Sequence, residues 1–419
     1  MSEALLRKFL PRLIRRGTFE IHLANGNVLQ SGTAEAGYPD VSVRFNDARV
    51  PRDVMLDPRL GMAEAFMDGR VELLRGDIMD MVSLVRMNSP WDHGRNLIAP
   101  TWRKRLTSRL TALAKSFNAP GSSRRNVAHH YDIGNDLYRL MLDADHMQYS
   151  CAYWDEDRFG PGMTLDQAQE AKLAHIAAKL ALQPGQRVLD IGCGWGGMAI
   201  FLASRADVQV HGITLSQEQL ALAQQRAEAA GVADRITFEL VDYRDLAARG
   251  EQYDRIVSVG MFEHVGRPQF ETFFRACANL LVHEGVMLLH TIGRMGGPGT
   301  TDAFTNKYVF PGGYIPALSE TVAASEKVRL IATDIETLRL HYARTIREWY
   351  ARCVANKAQI VALYDERFFR MWTFYLAGAA TVFESGSMCN YQIQYTRSRH
   401  ALPLTRNYLE QAEKCLLRP

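Results

Sequence analysis

One segment, VLDIGCGWGG over residues 188–197, constrains the fold of this chain more than any other. A short apolar run ends at Asp190 and Ile191 and is followed by glycine at positions 192, 194 and 196. Glycine lets the backbone turn tightly and lets a ligand approach the main chain closely. The segment therefore predicts a buried strand, a ligand-binding loop and the start of a helix.

Strand and helix patterns alternate from about Val127 onward. The predicted strands cover Arg187–Ile191, Val208–Ile213, Ile236–Val241, Tyr253–Val259 and Gly285–Ile292, and the predicted helices between them cover Gly197–Arg205 and Ser216–Ala230. Regular alternation with buried strands favours an α/β fold with a doubly wound parallel sheet. After Pro316 the pattern is helical and very aromatic, so added helices are expected there.

The first 95 residues differ in texture and predict a small α+β domain. Asn25-Gly26 lies between alternating apolar segments, which is a strong hairpin signal. The other expected elements are a basic amphipathic helix over Leu5–Arg16, a strand over Val41–Phe45, and helices near Arg59–Met67 and Asp77–Arg86.

A basic segment follows this domain. From His93 to Tyr131 there is no Asp or Glu, but there are Arg95, Arg103, Lys104, Arg105, Arg109, Lys115, Arg124 and Arg125. Apolar residues recur there at helical spacing, which predicts a basic amphipathic helix that lies on an anionic membrane, covers another domain, or does both. We expect an N-terminal domain over 1–95, this linker over 96–125 and a catalytic domain over 126–419.

The spacing of the cysteines and the length of the apolar runs indicate which cellular compartment the protein occupies. The six cysteines, at 151, 193, 277, 353, 389 and 415, have neither CxxC nor metal-ligand spacing, so we expect a reducing compartment and no metal site. The longest apolar run, Met371–Phe383, is shorter than the roughly 18–20 residues that span a bilayer. The N-terminus has no apolar core of a secretory signal. We expect a cytoplasmic protein, soluble or peripherally associated with a membrane.

The segments after the second and third predicted strands narrow the class of ligand that the glycine loop can bind. A dinucleotide enzyme would place an acid at the end of the second strand to hold a ribose hydroxyl, but the sequence there is GITLSQ, residues 212–217. After the third strand, Asp242 can accept from an adenine amino group and Tyr243 offers a flat ring, although Asp242 alone also fits a turn or cap. In the glycine loop itself, Asp190 lies two residues before Gly192. A strand, this acid, the glycines and a following helix together resemble the first motif of Rossmann-like methyltransferases.

Further motifs carry a more specific resemblance. They are HYDIGNDLYRLML (130–142), MQYSCAYW (147–154), GITLSQEQ (212–219), MFEHVG (261–266), LHTIG (289–293), KYVFPGGYIP (307–316) and LHYART (340–345). Together with the glycine loop they resemble the cyclopropane-fatty-acyl-phospholipid synthase family, which includes the mycolic acid cyclopropane synthases. The resemblance covers about Ala128–Arg399, and DPRLGMAEAFMDG extends it into the N-terminal domain, which the mycolic acid enzymes lack.

The resemblance implies a Rossmann-like fold that binds S-adenosylmethionine (SAM). The implied contacts, with Asp242 added from its position, are Tyr149, Ser150, Val188, Leu189, Asp190, Ile191, Gly192, Cys193, Gly194, Trp195, Gly196, Thr214, Leu215, Ser216, Gln217, Glu218, Gln219, Asp242, Tyr243 and Arg244.

The resemblance also implies a bicarbonate ion beside the transferred methyl group. Cys151 and Ile292 would hold it through main-chain groups, and Glu263, His290 and Tyr342 through side chains. Each of these residues taken alone also fits an ordinary buried or structural role.

The expected reaction is methylene transfer from SAM to the cis double bond of an unsaturated membrane phospholipid, giving a cyclopropane. A methyl-branched product, a small-molecule methyltransferase and a lipid-binding protein without activity are the alternatives. We further expect contact with an anionic membrane surface, a homodimer as the family suggests, and no nucleic-acid partner.

Overall fold

The computed structural model describes residues 2–94 and 134–417, which group into two units. The first unit contains the described residues up to 94 together with 301–311 and 343–387. The second contains 134–300, 312–342 and 388–417. The sequence did not indicate that two later segments group with the N-terminal residues. The expected linker over 96–125 lies outside the described residues, so the expected domain limits stay a prediction.

The strands and helices are numbered along the described residues. The strands are β1 (Thr18–His22), β2 (Val28–Ser31), β3 (Asp40–Phe45), β4 (Val71–Arg75), β5 (Gln186–Ile191), β6 (Val208–Thr214), β7 (Ile236–Leu240), β8 (Tyr253–Val259), β9 (Leu281–Arg294), β10 (Ile331–Leu338) and β11 (Met388–Thr396). The helices are α1 (Ser2–Leu13), α2 (Val50–Leu56), α3 (Pro58–Met67), α4 (Ile78–Met87), α5 (Asn135–Met141), α6 (Glu156–Phe159), α7 (Leu165–Leu180), α8 (Gly197–Arg205), α9 (Gln217–Ala229), α10 (Tyr243–Ala248), α11 (Phe270–Leu280), α12 (Ala303–Tyr308), α13 (Leu318–Glu326), α14 (His341–Ala355), α15 (Lys357–Leu363), α16 (Glu366–Glu384) and α17 (Asn407–Leu416).

The first unit contains a four-stranded sheet in the order β2-β1-β3-β4. Strands β1 and β2 form the antiparallel hairpin predicted from Asn25-Gly26, and Gly26 has a φ of 87°. Strand β3 runs parallel to β1, and β4 runs antiparallel to β3. Helix α16 packs against α3 and α4 within this unit.

The second unit contains a seven-stranded sheet in the order β10-β11-β9-β8-β5-β6-β7. The five strands from β7 to β9 in this order pair in parallel, which confirms the doubly wound α/β fold. Strands β11 and β10 extend the sheet antiparallel at one edge. The prediction of helical structure throughout the chain after Pro316 is therefore wrong for these two strands.

Neighbouring residues of the central strands point to opposite faces of this sheet. In β5, Leu189 packs with Phe262 and Phe273 in one buried cluster, whereas Val188 packs with residues of α7 and α8 in another. Helices thus cover both faces, which accounts for strands with few polar residues. The arrangement holds the carboxyl ends of β5 to β8 at one edge.

Helix α16 contains the apolar run Met371–Phe383 that the sequence analysis singled out. Across the described ranges, no helix combines the length and the apolar character needed to cross a membrane.

Candidate active site

The glycine loop begins where β5 ends, and each of its three glycines has positive φ. The φ values are 84° at Gly192, 54° at Gly194 and 80° at Gly196. A Cβ atom at Gly192 would lie 2.9 Å from Met261, and one at Gly196 would lie 2.8 Å from Phe238. No atom lies within 4 Å of the place for a Cβ at Gly194. The first and third glycines are therefore required by packing, while Gly194 borders open space.

That open space belongs to a cleft of about 800 Å³, counting the part open to solvent. Nine of the expected SAM contacts line it: Ile191, Gly192, Gly194, Thr214, Leu215, Gln219, Asp242, Tyr243 and Arg244. They lie at or just after the ends of three parallel strands, β5, β6 and β7, so the cleft lies at the carboxyl edge of the sheet, where α/β proteins bind ligands.

The other expected SAM contacts are not among the residues that line this cleft; they are Tyr149, Ser150, Val188, Leu189, Asp190, Cys193, Trp195, Gly196, Ser216, Gln217 and Glu218. Val188 and Leu189 pack fully buried in the two cores. The indole nitrogen of Trp195 donates to Asn135 at 2.8 Å. The side chains of Gln217 and Glu218 are exposed on the first turn of α9.

Several further residues line the cleft that were not predicted from the sequence. They are Ile213, Val241, Val259, Gly260, Met261, His264 and Val265. Most follow directly from β6, β7 or β8, and their position at strand ends was the available signal. Apolar walls of this kind are usual for a pocket that holds a flat ring.

Polar groups of the cleft are held by local hydrogen bonds. The Thr214 hydroxyl donates to the side-chain oxygen Oε1 of Gln219 at 2.9 Å. The Ser216 hydroxyl accepts from the main-chain N–H of Gln219 at 3.3 Å and so caps α9. Asp242 caps α10 and accepts from the Arg244 main chain at 2.9 Å and from its Nε at 2.8 Å. Asp242 thus has the cap role that the sequence left open, and it also lines the cleft.

Buried charged groups lie behind the loop 147–154. The ammonium group of Lys172 on α7 donates to Gln148 and lies 3.1 Å from the Ser150 hydroxyl. Burial lowers the pKa of Lys172 to about 8 and raises the pKa of Asp190 to about 7. These contacts fix the loop that carries three of the predicted site residues.

Glu263 lies in a short 3-10 turn, Phe262–His264, directly after β8. Its Oε1 accepts a hydrogen bond of 2.6 Å from the main-chain amide of Ile292. Its Oε2 is buried and has no hydrogen-bond partner among the described residues. Burial raises the pKa of Glu263 to about 7, because removal from water disfavours the charged form.

His290 lies on β9 and is 1% exposed. Its Nδ1 is 3.2 Å from Nε2 of Gln392, whereas its own Nε2 is buried with no hydrogen-bond partner in the described ranges. Burial lowers the pKa of His290 well below the usual value, so the ring is neutral. His290 and Glu263 thus each present one unsatisfied buried polar atom.

Cys151 and Tyr342 are also buried. Burial raises the pKa of the Cys151 thiol well above its usual value, so the thiol stays protonated. The loop of Cys151 is joined to the start of α14, which carries Tyr342: the Trp154 amide donates to His341 Nδ1 at 2.9 Å, and the Trp154 indole donates to the His341 carbonyl at 3.1 Å. Two separate motifs, CAYW and LHYART, therefore meet.

Comparison with known proteins identifies the family of the chain. The family model described as mycolic acid cyclopropane synthetase matches residues 119–393. The chain is 38% identical over 379 residues to the cyclopropane-fatty-acyl-phospholipid synthase of Escherichia coli strain K12, covering 90% of this chain and 93% of the relative. It is 36% identical over 396 residues to a probable fatty acid methyltransferase of Pseudomonas putida, covering 92% and 94%.

A solved structure supports the same relationship. The mycolic acid cyclopropane synthase CmaA1 complexed with SAH and CTAB aligns with a TM-score of 0.60 and 35% identity, covering 65% of this chain and 97% of that one. The matched region includes the glycine loop, Glu263 and His290. The chain therefore belongs to the family of cyclopropane-fatty-acyl-phospholipid synthases and mycolic acid cyclopropane synthases.

Proposed function

We propose that this protein transfers a methylene unit from SAM to the cis double bond of an unsaturated phospholipid acyl chain, with bound bicarbonate as the base. The observation that carries the proposal is that Glu263 Oε2 and His290 Nε2, two of thirteen buried atoms without a partner among the described residues, belong to neighbouring groups, since Glu263 accepts from the main chain of Ile292, two residues after His290 on β9. Buried polar atoms in native proteins nearly always have partners, so such a pair favours a small polar ligand. Glu263 lies between Met261 and His264, which line the cleft.

The cleft fits SAM in both shape and polarity. The open space at Gly194 lets a ligand approach the backbone, and Ile213, Val241 and Val265 supply apolar walls. Thr214, Gln219 and Asp242 supply polar groups along the same cleft. The SAH bound in the related structure is consistent with this assignment.

The reaction requires an electrophile and a base. When bound, SAM supplies the methyl group to the alkene carbon, and bicarbonate supplies the base that takes a proton from that group as the ring closes. The chain's own residues must exclude water, because water would quench the carbocation on the acyl chain. Cys151 and His290 are both buried, which fits a site from which water is excluded.

Each pocket residue has a distinct role in this proposal. Glu263 accepts a hydrogen bond from the bicarbonate hydroxyl through Oε2 and so orients it. Neutral His290 donates through Nε2, Tyr342 donates through its hydroxyl, and Cys151 contributes its main-chain amide. Ile292 acts through Glu263, because its amide already donates to Oε1 of that residue.

The variant Glu263→Gln tests this assignment. We expect SAM affinity, measured by calorimetry, to stay near wild type while product formation falls by about two to three orders of magnitude. The wild type should lose turnover in carbon-dioxide-depleted buffer and regain it when bicarbonate is added.

The matched control for Glu263→Gln is Glu320→Gln, which changes a carboxylate on α13 that pairs with Arg267, and this variant should retain turnover. Loss of SAM affinity together with turnover in Glu263→Gln would make Glu263 a cofactor or folding residue.

A second product is favoured by one finding, the similarity to a probable fatty acid methyltransferase. The same residues would bind SAM and the lipid, but the cation would lose its proton elsewhere and leave a methyl-branched chain. Proton NMR of the product distinguishes cyclopropane ring protons from a branch methyl. Exclusive formation of a branch methyl would replace the ring-forming proposal.

A further inference from the structure

The side chain of Gln392 contacts Nδ1 of His290, the ring nitrogen other than the unsatisfied Nε2. We propose that Gln392 and Lys179 form an orienting relay that holds His290 in the tautomer with its proton on Nε2. The two are positioning residues, since they act through His290 and not on the substrate. The catalytic consequence rests on the proposed function of His290 as a donor to the bound anion.

The amide orientation of Gln392 follows from its partner. Lys179 Nζ lies 2.9 Å from Gln392 Oε1, and an ammonium group can only donate hydrogen bonds. The oxygen of the amide must therefore face Lys179. This assignment leaves Gln392 Nε2 facing His290 Nδ1, at 3.2 Å.

The tautomer follows from the same donor and acceptor inventory. An amide nitrogen only donates, so His290 Nδ1 must accept. A neutral imidazole has one proton, which then lies on Nε2. Burial lowers the pKa of His290, which agrees with a single ring proton. The unsatisfied Nε2 is therefore a donor, as the anion site requires.

The pairing of β9 with β11 places Gln392 beside His290, and buried charged groups hold Lys179 in position beside Gln392. Gln392 on β11 pairs directly with His290 on β9, and Gln392 is fully buried. Lys179 also donates to Glu336. His175 lies 2.6 Å from Glu336 and 2.6 Å from Glu413. These pairs restrict Lys179 to one position, so its ammonium group can orient the amide.

The relay orients the histidine and does not conduct a proton. A primary amide neither accepts nor releases protons near neutral pH, so the path from Lys179 to His290 is interrupted at Gln392. Its effect is electrostatic: the opposite tautomer would turn the Nε2 lone pair toward an anion. Loss of the hydrogen-bond partner behind a metal-ligating histidine typically changes affinity or activity by about 10- to 100-fold, and we expect the same scale for a partner that orients His290.

The variant Gln392→Glu tests the relay, because a carboxylate accepts from Nδ1–H and so favours the other tautomer. Long-range proton–nitrogen NMR on protein labelled with ¹⁵N-histidine reads the tautomer, with the His290 signals assigned by their loss in His290→Gln. We expect Nε2–H in the wild type, Nδ1–H in Gln392→Glu, and a mixture in Gln392→Met. We expect kcat to fall about 10- to 100-fold in Gln392→Glu with the KM for SAM little changed.

Gln394→Glu is the matched control, since Gln394 is buried on the same strand and contacts the Lys179 carbonyl and the Tyr408 hydroxyl instead of His290. It should keep the wild-type tautomer. An Nδ1–H wild type, or an unchanged tautomer in both Gln392 variants, would overturn the relay. A switched tautomer with unchanged kcat would confirm the orienting contact but remove His290 from the proposed anion site, so the two failures are distinguishable.

Discussion

At the scale of single residues, Glu263 and His290 have pKa values that move in opposite directions for one reason. Burial disfavours charge, so it raises the pKa of the carboxyl group to about 7 and lowers the pKa of the imidazole. Both groups are therefore biased toward neutral forms. Oriented hydrogen bonds from such groups can hold a small anion, and the buried ammonium groups of Lys172 and Lys179 are close enough to lower the pKa of His290 further.

Gly194 gives a direct test of the SAM cleft. We predict that Gly194→Val abolishes SAM binding in calorimetric titration, because the new side chain would occupy the ligand's space. Gly231 is a matched control: it has a φ of 68° and no atom within 4 Å of its Cβ position, but it does not line the cleft. Gly231→Val should bind SAM normally. Near wild-type affinity in Gly194→Val would refute the cleft assignment.

Cys151 invites a covalent mechanism, which we predict to be wrong. A reactive thiolate needs a lowered pKa, but burial raises the pKa of this thiol. We expect Cys151→Ser to keep substantial turnover at saturating SAM and added bicarbonate, and Cys151→Ala to lose part of it. Cys277→Ser, a buried cysteine on α11, controls for a hydroxyl placed in the core. Loss of more than about a thousandfold in both Cys151 variants, with folding and SAM affinity intact, would indicate a catalytic thiol.

At the scale of elements, a buried charged network joins α7 to β10 and α17. His175 on α7 bridges Glu336 on β10 and Glu413 on α17, and Arg158 lies 3.1 Å from Glu413. Burial alone would lower the pKa of His175, but the two carboxylates outweigh it and raise that pKa. The protonated form of His175 is therefore the one that the fold stabilises.

This network predicts how stability depends on pH. A histidine whose pKa is raised by folding contributes stability that is complete below its unfolded pKa of about 6.5 and is lost as the pH rises through the folded value. We expect His175→Gln to lower the free energy of unfolding by about 3 kcal/mol at pH 6 and to flatten its fall toward higher pH. Urea unfolding at several pH values measures both effects.

The exposed His283 provides the control, and His283→Gln should follow the wild-type curve. A His175→Gln curve with the wild-type slope would show that the network does not titrate as described.

The sequence predicted elements well where one physical rule decided them. Strands β5 to β8 were predicted nearly to their ends, because each is rich in apolar or β-branched residues and is followed by turn residues, although the edge strand β7 is only partly buried. Strand β11 was missed although Cys389–Thr396 alternates apolar and polar residues, which is the period-two pattern of a strand; what the alternation does not reveal is that Asn390, Gln392 and Gln394 are buried as well. Partners distant in sequence, such as Lys179, make those buried amides acceptable, and a local pattern cannot reveal them.

The candidate site divides in the same way. The glycine loop and Asp242 were visible because backbone geometry demands those residue types next to a strand. Glu263 and His290 came from motifs, and their burial and unsatisfied atoms required the structure. The Gln392 relay depends on the register between β9 and β11, which no local sequence pattern predicts.

At the scale of the whole molecule, charge is distributed unevenly along the chain. The net charge is only +3, yet residues 93–131 carry eight Lys and Arg and no acid. Most of this basic segment lies outside the described residues. We propose that it binds an anionic membrane surface and so brings the enzyme to its lipid, and we retain the homodimer as a prediction.

Charge reversal tests the membrane proposal. We expect Arg103, Lys104 and Arg105 changed together to Glu to weaken co-sedimentation with anionic vesicles, because each cation near such a surface contributes about 1 kcal/mol. Wild-type binding should also fall as salt is raised. The same changes at Arg7, Lys8 and Arg12 on α1 serve as a comparison of equal charge. Binding that ignores both salt and the first set of changes would assign the segment to domain packing alone.

The central claim concerns the product, and one measurement addresses it most directly. Purified protein is incubated with SAM carrying a ¹³C-labelled methyl group and vesicles of a monounsaturated phospholipid, and the recovered lipid is analysed by mass spectrometry and NMR. We predict that the acyl chain gains one labelled CH₂ unit, loses its double bond and shows cyclopropane ring protons. Unchanged lipid, or label found only in a branch methyl group, would contradict the account.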